Sequence, residues 1–109
     1  MAEQQGDEYQ ATIDHQRNYL LQLQEAFNKH CDAITAESEQ QLQKLPLEDN
    51  ETRQQILAIQ KQKLQSALAE LRQEISASTA KTRQKLESII AKREEKELQE
   101  LEAMLNEVA

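Results

Sequence analysis

Residues spaced 3, 4 and 4 apart mark one helical face through the whole second half of this chain. The set is Arg53, Leu57, Gln60, Leu64, Leu68, Leu71, Ile75, Thr79, Thr82, Leu86, Ile90, Arg93, Glu97, Leu101, Met104 and Val108. Ten of these sixteen are aliphatic or Met. The first half keeps the same spacing in Tyr9, Thr12, Gln16, Leu20, Leu23, Phe27, Cys31, Ile34, Ser38, Leu42 and Leu45. Eleven residues in three turns is about 3.67 per turn, close to the ~3.6 of an α-helix, so such a stripe stays on one side. The pattern therefore specifies two long amphipathic helices and an all-α fold.

Composition agrees with that reading. The chain has 109 residues, with one Gly, one Pro, no Trp, two Tyr and one Phe. Gln, Glu, Leu, Ala and Lys dominate, as they do in long helices and coiled coils. A mean hydropathy of -0.87 and a charged fraction of 30% also suit a disordered chain. The sustained period decides against disorder, because random polar sequence does not keep one face apolar over several repeats.

The boundaries follow from local chemistry. Gly6-Asp7 reads as the start of helix one, with Asp7 as a cap and residues 1–6 frayed. Pro46 stops that helix, since proline lacks the N–H and pushes the preceding residue out of helical space. Asp49 or Asn50 can cap the next helix. The expectation is one helical coiled-coil domain over 1–109, with helix one at about 7–45, a turn at 46–50 and helix two at about 51–107. So short a connection makes an antiparallel hairpin. Position i then faces about 96 − i, which sets Ile34 near Gln62 and Leu64, Phe27 near Leu68 and Leu71, and Asp14 near Arg83. The weak place is Ser76-Ala77-Ser78-Thr79-Ala80, where Ser and Thr can compete for backbone partners. A break there gives the alternative, a three-helix bundle.

Charge is uneven along the chain, although the net is -7. Residues 1–50 carry ten acidic and three basic side chains, while 51–93 carry nine basic against four acidic. The tail from Glu94 is acidic again. The two segments therefore have the signs needed to lie side by side, each exposed pair contributing about 0–1 kcal/mol. One cysteine excludes an intrachain disulfide. No apolar run approaches the roughly 20 residues of a membrane span, and no signal-peptide pattern opens the sequence. A cytoplasmic protein without membrane insertion is the expectation.

Catalytic and metal chemistry find little support. His30, Cys31 and Asp32 are adjacent, so a helix points them about 100° apart and they cannot converge on one ion. Carboxylate pairs such as Glu37/Glu39 and Glu100/Glu102 lie on open helix surface, where nothing desolvates a general acid. The basic run Lys81, Arg83, Lys85, Lys92, Arg93 and Lys96 lacks stacking aromatics and is diluted by acids. The expectation is no enzyme, no cofactor, no metal and no nucleic-acid partner.

The architecture resembles the stalk-type coiled coils of secretion and flagellar export ATPases. In size it is also similar to the three-helix tubulin-binding cofactor A family. Prefoldin subunits share the length but need a β-hairpin, for which Pro46-Leu47-Glu48-Asp49 leaves no room. No diagnostic motif accompanies these resemblances, so no functional residue is carried over from them.

The functional expectation rests on apolar surface. Helix two outruns helix one beyond about Glu87, leaving about 20 residues, or ~30 Å, without an intramolecular partner. Ile89, Ile90, Leu98, Leu101, Met104, Leu105 and Val108 form the apolar set there. Ile56, Ile59, Ile13, Tyr19 and Leu21 widen the stripe beyond what a two-helix seam needs. Both features point to a protein–protein interaction module, an adaptor or scaffold that binds itself or a helical partner. The alternative is a helical chaperone or a phasin-like surface coat.

Overall fold

The computed structural model describes the backbone of residues 2–108 and the side chains of 7–108. It contains two helices and, among the described residues, no strand. Helix α1 spans Ala2–Gln43 and helix α2 spans Asn50–Val108. The fold is an all-α helical hairpin of the coiled-coil kind.

The turn is built from backbone and one side chain. The Leu45 N–H bonds to the Leu42 carbonyl at 3.2 Å, tightening the end of α1. Pro46 then blocks continuation, and the Asp49 N–H closes a turn onto the Pro46 carbonyl at 3.2 Å. Asp49 caps α2: its Oδ1 accepts the Thr52 N–H at 3.1 Å, and its carbonyl accepts the Arg53 N–H at 3.3 Å.

The start of α1 differs from the sequence expectation, and the course of α2 agrees with it. Helix α1 is already helical at Ala2, so Gly6 lies inside it rather than at its start. An interior glycine costs about 0.5–1 kcal/mol, and the flanking Ala, Glu and Gln are strong helix formers that offset it. Helix α2 runs unbroken through Ser76–Ala80, so the three-helix alternative is not adopted. Of the hydroxyls in that stretch Ser78 is directed across the hairpin: it donates to Gln16 Oε1 at 2.7 Å, and Thr82, one turn on, donates to the same oxygen at 2.8 Å. These two do not compete for the backbone.

The chain forms two compact units, Tyr19–Ser76 and Met1–Asn18 with Ala77–Ala109. The first is the closed end of the hairpin. Ile34 and Ala67 are its most buried apolar residues, each 6% exposed, and Ser38 is buried beside them. Lys63 Nζ lies 3.7 Å from Glu37 Oε2 across the two helices. In the second unit Ile89 and Thr12 are buried. There the Gln16 amide joins the helices through Ser78 and Thr82. Those partners bracket the position that a pairing of i with about 96 − i assigns to Gln16. The anticipated Asp14–Arg83 pair is absent from the ion pairs among the described residues, which are Lys63–Glu37 and Lys29–Glu25. No large side chain among the described residues is fully buried. The core is a seam one side chain deep.

Candidate interaction surface

Burial sorts the two helices differently. On α1 every residue of the stripe from Tyr9 to Leu45 is buried or half-buried. On α2 the inward positions are Arg53, Ile56, Gln60, Leu64, Ala67, Leu71, Ser78, Thr82, Leu86, Ile89 and Arg93. Once in each period the inner residue is the one before that expected. Ile56, Ala67, Ser78 and Ile89 face inward, while Leu57 is 47% and Ile90 40% exposed and Thr79 is exposed. Leu68 is half-buried beside Ala67 rather than at the centre of the seam. Only at Ala67 beside Leu68 and Ser78 beside Thr79 is the inner residue the smaller of the two, and there hydropathy selects the bulkier neighbour. The exposed row is therefore a second apolar face of α2.

The expected partner-binding residues divide accordingly. Ile89 is 5% exposed and belongs to the core of its unit. Ile90, Leu98, Leu101, Met104, Leu105 and Val108 are 40%, 57%, 56%, 62%, 65% and 87% exposed. Every described residue from Glu94 onward is exposed. The uncovered run begins there and not at Glu87: Ile89 is buried and Arg93 half-buried. Within the run, Leu98, Leu101, Leu105 and Val108 repeat at 3, 4 and 3, which puts them on one face of about three turns. Glu94, Glu95, Glu97, Glu100, Glu102 and Glu107 surround that face, with Lys96 the lone base.

Several open grooves mark the surface of the Tyr19–Ser76 unit, and two of them are large. One, of about 310 Å³, is lined by Leu57, Gln60, Lys61, Leu64, Gln65 and Leu68, all from α2. The other, of about 590 Å³, is lined from both helices and includes Ile59, Ala67, Glu37, Glu70 and the Lys63 end of the ion pair. The first is apolar with a basic edge, and the second has an acidic rim. Sequence reasoning missed the first groove. The signal was present: Leu57, Leu68, Thr79, Ile90 and Leu101 recur every eleven residues, and Lys61, Arg72 and Arg83 recur four residues behind the first three.

The candidates for other chemistry are dispersed. His30 and Asp32 are exposed and Cys31 is half-buried on the seam face of α1. Among the described residues no group of His, Cys, Asp or Glu is placed to hold a metal ion. Among them, too, no helix is long and apolar enough to cross a membrane. The basic run from Lys81 to Lys96 is exposed except for Arg93, which is half-buried.

Comparison with protein-family models, curated proteins and solved structures finds no match to this chain.

Proposed function

We infer that this chain is a non-enzymatic protein–protein interaction module, an adaptor or scaffold subunit working through exposed apolar helix surface. One observation carries the reading: Leu98, Leu101, Met104, Leu105 and Val108 are all more than half exposed on a continuous helix. A helix of this length without packing is marginal in water, because most helical stability in proteins comes from burying an apolar face. A contiguous apolar patch on a helix marks an interaction site. The surrounding carboxylates set the partner's charge and the register of docking more than its strength.

A photo-crosslinking residue in place of Leu101 tests this in the cells that make the protein. The expected result is an adduct of discrete mass with a protein, absent when the same residue replaces Gln99 on the opposite side of the helix. Adducts of equal yield at both positions would remove the face from consideration. An adduct with lipid would select the surface-coat alternative.

A further inference from the structure

The interaction reading leaves the partner open, and the distribution of charge along the chain favours one. We propose that the acidic tail of α2, residues 94–108, docks in the Leu57–Leu64–Leu68 groove of a second copy of this chain. The proposal rests on the reading of the tail as an interaction surface and adds its receptor.

Three observations converge on it. The tail carries an apolar face with six acidic residues and one basic one, and residues 51–93 carry nine basic against four acidic. Tail against tail would oppose carboxylates to carboxylates, whereas tail against groove opposes them to Lys61 and Arg72. Neither Lys61 nor Arg72 is in an ion pair among the described residues, and no tail carboxylate is either. The larger groove is disfavoured for the same tail, because Glu37 and Glu70 line it and its one lysine, Lys63, is already paired with Glu37.

The dimensions also agree. Leu57 to Leu68 and Leu98 to Val108 each span about three turns, or ~15–17 Å. In an antiparallel register, Leu64 opposite Leu101 brings Leu57 to Val108 and Leu68 to Leu98. Arg72 then meets the turn bearing Glu94, Glu95 and Glu97, and Lys61 lies between Glu100 and Glu107. Antiparallel packing also sets opposite helix dipole ends together.

Charge-swapped variants of the full chain test the docking by sedimentation velocity at low salt. Lys61 and Arg72 are exposed, so Lys61→Glu/Arg72→Glu leaves the seam intact, as circular dichroism will verify. The wild type is expected to self-associate, and this variant to do so at least tenfold more weakly. The complementary variant Glu94→Lys/Glu97→Lys/Glu107→Lys is expected to weaken too. An equimolar mixture of the two should recover association. Arg17→Glu/Lys44→Glu makes the same change of net charge outside the groove and should associate like the wild type. A wild type that stays monomeric at every concentration overturns the proposal, as does a groove reversal without effect or a mixture without rescue. If deletion of 94–109 weakens association while the groove reversal does not, the tail remains an interaction surface and only the groove is wrong. If neither self-association nor a specific Leu101 crosslink is found, the interaction reading fails as well.

Discussion

Ile34→Ala will destabilise the Tyr19–Ser76 unit by about 2–5 kcal/mol, the range for truncating a buried aliphatic side chain. Ile34 is 6% exposed, and the seam around it is one side chain deep. With so few buried residues, total stability lies toward the low end of the ~5–15 kcal/mol typical of domains. A loss of this size therefore takes up a large fraction of it. The companion change Leu57→Ala removes a side chain that is already 47% exposed, and should cost under about 1 kcal/mol in the unassociated chain. Urea unfolding followed by circular dichroism, at one low protein concentration, checks both. Equal losses would mean that Leu57 lies in the seam and that the inner and outer rows of α2 have been exchanged.

The triple change Gln16→Leu/Ser78→Ala/Thr82→Val should stabilise the protein by about 1–2 kcal/mol. Ser78 and Thr82 both donate to Gln16 Oε1, and the buried Gln16 Nε2 finds no acceptor. Exchanging the amide's two ends would satisfy one group only by orphaning the other. A buried unsatisfied donor costs about 1–3 kcal/mol, whereas replacing all the partners with apolar groups is near neutral or favourable. Ser78→Ala also raises helix propensity. In thermal unfolding, ~1 kcal/mol corresponds to roughly 4–8 °C for a domain near this size. A lower Tm would show that the polar layer contributes more than its lost amide costs. Gln16→Leu alone should be milder than removal of a buried hydrogen-bonded pair suggests. The freed hydroxyls can turn to the carbonyl four residues back, as Thr12 does to Glu8 at 2.8 Å and Ser38 to Ile34 at 3.1 Å. A polar layer of this kind fixes register at a cost in stability.

Helix α1 was legible because its competitors are poor. Beside Leu23 stands Gln24 and beside Ile34 stands Thr35, so hydropathy and burial choose the same residue. On α2 they do not. Ala67 and Ser78 of the inner row are less apolar than their outer neighbours Leu68 and Thr79, and Ile56 and Ile89 are matched by Leu57 and Ile90, so hydropathy does not select the inner row. The turn was legible because proline and the Asp49 cap act locally. Continuity through Ser76–Ala80 was the expectation, but the partner of Ser78 and Thr82 was not legible, because Gln16 lies more than sixty residues away in sequence. The tail face was readable from its spacing, and its extent was not, because burial of Ile89 and Arg93 beyond Glu87 is a tertiary property.

The central claim is that residues 94–108 are bare in the isolated chain and covered when a second copy docks. Amide hydrogen exchange, resolved along α2 and followed against protein concentration, measures this directly. In dilute protein the tail should exchange far faster than residues 78–89, since only helix propensity protects it. As concentration rises, protection should grow in the tail and, in step with it, across residues 57–68, while the turn at 44–49 stays unchanged. Fast exchange of the tail at every concentration would contradict the account.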